Sequence, residues 1–269
     1  MANGQTRYSV GYDERTARFF QGRTADTHAR FLLEYLVPGM DLLDGGCGPG
    51  TITKGLAEIV APGRVVGVDR EQSQIDLARC LTAGSPTIEF RIDDLCSLTA
   101  DDESFDVVFV HGVLEHIADP EKAISEIHRV LRPGGLAGAR HADFGGFLLE
   151  PTPEPLGQFS QLFIELMKRN GGDPYCGRRQ PGLFREAGFE IAKVSASYDC
   201  WTPDADSTRS NAHFLSELCG DSEFADQLVE YGLADKRVLG QLKSAFLMWG
   251  EMPEAFAAEA WGEIVARKA

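Results

Sequence analysis

Asp44-Gly45-Gly46-Cys47-Gly48-Pro49-Gly50-Thr51 is the stretch that decides how this chain folds. Residues 40–44 before it form a short apolar run, and residues 51–60 after it carry helical periodicity, so the glycines occupy a strand-to-helix turn. Glycines at 46, 48 and 50 let the backbone turn sharply and leave bare main chain against which a ligand can lie. The helix that begins beyond them offers unpaired N–H groups and the positive end of its dipole. Such a loop can hold a nucleotide, a phosphate or an amino-acid carboxylate. Spacing narrows the choice. The dinucleotide fingerprint G-x-G-x-x-G, counted from Gly46, needs a glycine at 51, where the chain has Thr51. The pattern is D-x-G-x-G-x-G instead, which disfavours NAD.

Outward from this loop, strand and helix signals alternate. Apolar runs at 40–44, 64–69, 87–92, 105–110 and 136–141 are separated by helix-period segments at 51–60, 73–82 and 120–131. This order predicts right-handed βαβ units and a parallel sheet covered by helices on both faces. Asp119-Pro120 reads as a helix N-cap followed by a preformed first turn. Pro133-Gly134-Gly135 ends that helix and leads into the next strand. Upstream, 13–36 has helical spacing broken near Gly22. Downstream of Leu149 the character changes: Pro151, Pro153 and Pro155 mark an irregular connection, and an amphipathic helix carries Leu156, Phe159, Leu162, Phe163, Leu166 and Met167 on one stripe. A short helix to Ala187, a strand at 189–197, a mainly helical region at 203–260 and a last short strand at 262–268 complete the reading.

The 269 residues are 43% hydrophobic and 25% charged, the balance of a globular chain. The net charge is −15, spread over both halves, with 14 basic and 22 acidic side chains in residues 1–149 and 12 and 19 in 150–269. That field repels phosphate backbones and argues against nucleic acid as a partner. No apolar stretch approaches the length of a membrane span. The first residues have no apolar signal core and are too acidic for a transit peptide, so a cytoplasmic location is expected. Six cysteines without C-x-x-C spacing read as reduced thiols, and no histidine–cysteine cluster has metal-ligand spacing, so no metal is expected. No heptad or charge alternation marks an interface, and a monomer or weak homodimer is the default.

Leu42-Leu43-Asp44-Gly45-Gly46-Cys47-Gly48-Pro49-Gly50 resembles motif I of class I S-adenosylmethionine (SAM)-dependent methyltransferases, most of all the type 11 group that includes the ubiquinone- and menaquinone-biosynthesis methyltransferases. The resemblance continues in order. Val65-Val66-Gly67-Val68-Asp69 matches the second strand with its terminal acid, and Ile92-Asp93-Asp94-Leu95 the segment whose acid faces the adenine amine. Phe105-Asp106-Val107-Val108 with Val113-Leu114-Glu115-His116 matches motif IV and the turn after it. Arg129-Val130-Leu131-Arg132-Pro133-Gly134-Gly135 matches the lead into strand five. The resemblance implies a Rossmann-like α/β fold with a seven-stranded, mostly parallel sheet of order 3-2-1-4-5-7-6, helices on both faces and a helical cap. It implies SAM as cofactor, S-adenosylhomocysteine (SAH) as product and a small-molecule acceptor.

On that reading the cofactor contacts are Asp44, Gly46, Cys47, Gly48, Gly50, Asp69 with Arg70 beside it, Gln74, Asp94, Leu95, His111 and Arg23. Asp69, 19 residues after Gly50, can accept both ribose hydroxyls, and its structural alternative is a helix cap. Asp94 can accept from the adenine amine and the Leu95 N–H can donate to the ring; the alternative is a solvated loop acid. Asp44 orients the glycine loop and reaches the methionine amine, and Arg23 either pairs with the methionine carboxylate or is solvated. Methyl transfer needs alignment and exclusion of water, with a base only if the acceptor must lose a proton. His141, Asp143 and His111, at strand ends facing the cofactor, are the candidate acceptor contacts, and packing as satisfied polar residues is the alternative for each. His116, in the turn after motif IV, reads as structural.

The division expected from these readings is an N-terminal helical lid at 1–38, a SAM-binding core at 39–149, a helix and strand six at 150–200, a helical insertion forming a cap at 201–261, and the last strand at 262–269. More than 60 residues between strands six and seven exceed what a hairpin needs. Trp201, Phe214, Tyr231, Phe246, Met248, Trp249 and Phe256 within the insertion point to an apolar or ring-containing acceptor, with ordinary packing of added helices as the alternative. O-, N- and C-acceptors remain open. Two other classes are a SAM-binding enzyme of the same fold with non-methylating chemistry, such as a cyclisation or elimination, and a non-catalytic binding protein.

Overall fold

The computed structural model describes residues 7–85 and 87–269. Five parallel strands form its centre: β1 (Leu42–Gly45), β2 (Val65–Asp69), β3 (Ile88–Ile92), β4 (Phe105–His111) and β5 (Leu131–Ala142). They lie in the order β3-β2-β1-β4-β5. Val107, Val108, Phe109 and Val110 are each fully buried, which is the physical reason the strands read as continuous apolar runs: both faces are covered.

Helices α1 (Glu14–Phe20), α2 (Ala25–His28) and α3 (Arg30–Leu33) precede the sheet, broken near Gly22 as the spacing predicts. Helices α4 (Thr51–Val60), α5 (Gln72–Leu81) and α6 (Pro120–Val130) connect the strands. The Asp119 carboxylate accepts the Lys122 N–H, capping α6 ahead of Pro120. On one face Leu32, Leu56, Ala57 and Val60 pack on Leu42, Val107 and Phe109. On the other, Ile124, Ile127 and Val130 of α6 and Phe184 of α8 (Cys176–Glu186) pack on Leu43, Val108 and Ala137.

The sheet's far side is completed by β6 (Leu148–Glu150), β7 (Phe189–Cys200) and β8 (Phe256–Lys268). The strands expected sixth and seventh are β7 and β8, and β8 runs antiparallel between β5 and β7. Among the described residues the sheet has eight strands rather than seven because β8 starts at Phe256, six residues before the expected start at 262. Its last stretch pairs with β5, from Trp261 opposite Ala142 to Arg267 opposite Leu136. Its first residues overhang the end of β5, and β6 pairs with them there, Ala258 opposite Leu148. Backbone groups left open by the overhang thus find partners. The early start escapes a propensity reading because Ala255, Ala257, Ala258 and Ala260 favour helix in isolation, and sheet pairing overrides that preference.

Helices α7 (Phe159–Arg169), α9 (Ala205–Leu218), α10 (Glu223–Glu230) and α11 (Lys236–Trp249) form a separate layer with its own core of Phe159, Leu166, Leu215, Phe224, Leu242, Phe246 and Trp249. The N-terminal segment is fastened to this layer. Gln227, fully buried on α10, donates to the Tyr8 carbonyl at 3.0 Å, and Asn170 donates to the Ser9 hydroxyl at 3.0 Å. Phe19 stacks on Phe214 of α9 at 4.4 Å between ring centres. Residues 1–6 of the expected N-terminal lid lie outside the described residues. Among the described residues no helix is long and apolar enough to cross a membrane.

Candidate active site

The glycine loop leaves β1 at Gly45 and enters α4 at Thr51. Gly46, Gly48 and Gly50 all have positive φ (76°, 50° and 75°), a conformation that disfavours side chains. The Gly46 and Cys47 N–H groups both donate to the Val68 carbonyl, at 2.7 and 2.9 Å, so the loop is tied to β2. A Cβ on Gly46 would lie 2.4 Å from Val113 Cγ2 across the cleft. Gly46→Ala is therefore expected to weaken SAH binding roughly tenfold or more by adding left-handed strain and pushing Val113 inward; unchanged affinity in a calorimetric titration refutes this.

Acids stand at the strand ends around the loop. Asp69 closes β2, accepting the Gly48 N–H and the Glu71 N–H, both at 3.0 Å. Asp44 is 3% exposed and accepts the Thr53 hydroxyl at 2.5 Å. Burial pushes the Asp44 carboxyl up to about 7, with Thr53 opposing and Asp69 adding to the shift. The pair Asp93-Asp94 divides its work. Asp93 is buried and accepts from Thr99 and the Asp94 N–H, so it holds the turn together. Asp94 is exposed and lines the cleft beside Leu95. Cys47, Arg70 and Gln74 complete this side; burial pushes the Cys47 thiol well up, so it stays protonated.

The N-terminal segment supplies the opposite wall, which the motifs did not indicate. Tyr8 stacks on Tyr12 at 4.8 Å and meets His116 edge-on at 4.7 Å. Tyr12 accepts from Arg70 across the cleft at 3.3 Å. The Arg23 guanidinium lies 4.3 Å over the Phe20 ring, with no side-chain hydrogen bond or ion pair among the described residues.

A second chamber opens beyond this wall. Its lining is aromatic, including Phe19, Phe144, Phe147, Phe163, Trp201 and Trp261, with Glu115 and Glu259 among its few polar groups. Tyr8, Phe20, Arg23, Gly112 and His116 border both spaces, so cleft and chamber are contiguous. Of the seven insertion residues singled out from sequence, Trp201 and Phe214 reach the chamber. Phe246 and Trp249 are fully buried in the cap's own core, Tyr231 donates to Asn170 at 3.0 Å, and Met248 and Phe256 are exposed.

The strand-end candidates for acceptor contact separate. His141 is fully buried and lines neither space. Its Nδ1 lies 2.9 Å from Glu115 Oε2, which accepts, while Glu115 Oε1 accepts the Ala142 N–H at 3.1 Å. Asp143 accepts from Nε and Nη2 of Arg178 and caps the turn at Gly145. Both therefore brace the wall: the Asp143 oxygens are held by Arg178 and the His141 Nδ1 by Glu115, while the buried His141 Nε2 has no partner among the described residues. His111 does border the cleft, stacked on His28 at 5.3 Å. Its Nε2 sits 3.2 Å from Arg140, which can only donate, so the His111 proton is on Nδ1 and its lone pair is engaged. Burial, with Arg23 and Arg140 nearby, holds His111 far below the usual imidazole range. The His111 ring is thus held neutral, with Nε2 engaged by Arg140 and Nδ1 without a partner among the described residues. Sequence reasoning missed Tyr8, Tyr12, Phe20, Trp261 and Glu259; the two-residue alternation Glu259, Trp261, Glu263 is the signal that marks a strand face there.

This geometry has counterparts. Residues 43–138 match the family described as the methyltransferase domain. An uncharacterised methyltransferase of Schizosaccharomyces pombe is 28% identical over 277 aligned positions, covering 98% of this chain and 97% of that one. A demethylmenaquinone methyltransferase of Symbiobacterium thermophilum is 33% identical over 206 positions, covering 68% and 82%. In fold, a crystal structure described as a putative methyltransferase from Bacillus halodurans matches with a TM-score of 0.58 at 17% identity, over 90% of this chain and 99% of that one. With the glycine cradle, the strand-end acids and near full-length relatives in agreement, the chain belongs to the methyltransferase-domain family and is a SAM-dependent methyltransferase.

Proposed function

We propose that the chain methylates a small, largely apolar, ring-bearing metabolite that lies in the aromatic chamber while SAM occupies the adjoining cleft. The observation that carries this reading is the shared border of Tyr8, Phe20, Arg23, Gly112 and His116, which brings the two ligands face to face. The residues present fit the cofactor. Gly48 has open space around it, with nothing nearer a Cβ there than Gln74 at 4.0 Å, so main chain is bare where the amino-acid end would lie. Asp44 receives the ammonium, Arg23 the carboxylate, Asp69 the ribose hydroxyls, and Asp94 with the Leu95 N–H the adenine. When bound, SAM supplies an electrophilic methyl group. The protein's part is to align the acceptor and exclude water, and the N-terminal segment with the helical insertion forms the cover that does so.

Calorimetric titration with SAH, with NAD as comparison, tests the reading. Micromolar binding of SAH alone is expected; NAD binding instead overturns it. The pH dependence is equally specific. An ammonium needs Asp44 ionised, and Asp44 is raised to about 7, so below that pH binding must first displace a proton. SAH affinity is expected to hold above pH 7 and to fall by up to about tenfold per unit between pH 7 and 5. A flat affinity over that range removes Asp44 from the contact.

A further inference from the structure

The chamber has two carboxylates, and only one is spoken for. Glu115 has both oxygens engaged by His141 and Ala142. Glu259 is 7% exposed, and among the described residues no hydrogen bond or ion pair reaches its carboxylate. It stands on β8 two residues before Trp261, so both side chains leave the same strand face, and both line the chamber. A carboxylate enclosed by aromatic rings with no donor is costly to the fold, and an apolar residue of similar size would pack there at lower cost. A ligand that supplies the missing donor accounts for its presence.

We propose that Glu259 accepts the proton of a ring-borne hydroxyl, a phenol or an enol, on the acceptor, which makes this an O-methyltransferase. The proposal rests on the methyl-transfer reading above. The hydroxyl oxygen uses a lone pair to form the new C–O bond, the pair of the broken C–S bond stays on sulfur, and the hydroxyl proton ends on a Glu259 oxygen. One positive charge on sulfur and one negative charge on the carboxylate are cancelled together. Burial, the largest influence, raises Glu259 to about 7, which matches a proton acceptor working near neutrality. The charges facing it are Arg23 from the α1–α2 connection and Arg140 from β5, which oppose that rise, and Asp199 from β7 and Glu115 from the turn after β4, which add to it. Tyr8 and His116 border the same space. An ammonium-bearing acceptor suits the chamber less well: Arg23 repels it, and a protonated nitrogen has no lone pair to methylate.

The test is calorimetric, on the full chain saturated with SAH at pH 8, titrated with 2-naphthol, 2-methoxynaphthalene and naphthylmethylammonium. Naphthol is expected to bind at least tenfold more tightly than its ether, and this preference is expected to vanish below pH 6, where Glu259 carries its proton. Glu259→Gln and Glu259→Leu should cut the preference to twofold or less, keep SAH affinity within about twofold and raise Tm at pH 8, since each removes a desolvated charge. Tighter binding of the ammonium probe than of naphthol, or a naphthol preference that survives both substitutions, overturns the proposal. Failure of the unaltered chain to bind SAH would instead strike the cofactor reading, and the same naphthol comparison on the free chain then decides this one.

Discussion

Asp69→Ala is expected to weaken SAH binding by at least about 100-fold while moving Tm by only a few degrees. The carboxylate has two tasks that converge on the ligand. It accepts the Gly48 and Glu71 N–H groups, fixing the glycine loop against the end of β2, and it borders the cleft where the ribose hydroxyls would lie. Hydrogen bonds to a charged acceptor contribute about 1.5–3 kcal/mol each, so losing the two ribose contacts alone reaches about 100-fold at the low end, and a slackened loop adds to it. The stability effect is small for a separate reason. Burial raises Asp69, the largest influence on it, against the two N–H donors that oppose the rise. Because its ionisation is penalised in the folded state, deleting it removes a cost together with two bonds. Calorimetry and thermal melts on the same preparation separate the two effects. A Tm loss above about 10 °C with affinity intact would make Asp69 a structural residue.

What the sequence made legible follows the physics of each feature. The cradle, Asp69 and the Asp93-Asp94 turn are local: one strand end and the few residues after it determine where their backbone groups point, so spacing is enough to find them. The alternation of strands and helices is likewise a local periodicity repeated. The acceptor chamber has no such local basis. Tyr8 and Phe20, Phe144 and Phe163, Trp201, and Glu259 with Trp261 come from separate parts of the chain and meet only through tertiary packing. His141 and Asp143 show the limit from the other side. Their place at the carboxyl end of β5 was legible, but Glu115 and Arg178, which hold the His141 Nδ1 and the Asp143 carboxylate, stand 26 and 35 residues away in sequence. In α11, Leu239, Leu242, Phe246 and Trp249 form the buried stripe while Met248 is 63% exposed, and aromatic content alone does not say which residues a cavity receives. Glu259 lay hidden in an alanine-rich stretch whose helical propensity is overruled by the pairing of β7 with β8.

The brace behind the chamber carries the second large effect. Glu115→Gln is expected to lower Tm by about 10 °C at pH 7 and to do so less and less as the medium is acidified. Glu115 is 1% exposed and joins three elements: it accepts from His141 and Ala142 at the end of β5, and its own carbonyl accepts the Asp173 N–H after α7 at 2.9 Å. Burial alone would raise its carboxyl, but His141 beside it, the Ala142 N–H and nearby His116 together bring it down to about 2. A folded-state value below the unfolded one, near 4.3, means stability that is fully present above the unfolded value and is lost as pH falls toward 2. Hydrogen bonds to a charged acceptor contribute about 1.5–3 kcal/mol each and Glu115 accepts two, and at this chain length each kcal/mol is worth about 2–4 °C. Glutamine keeps the shape and one acceptor, so the loss should sit at the low end, near 3 kcal/mol. Melts of both proteins from pH 7 to pH 3 test the sign: the gap should narrow below about pH 4. A gap that stays constant would show that Glu115 acts through packing and shape alone, with no contribution from its ionisation. The same substitution loosens the Ala142 end of β5, one of the chamber's borders, so affinity for a ring-bearing ligand should fall several-fold while SAH affinity holds.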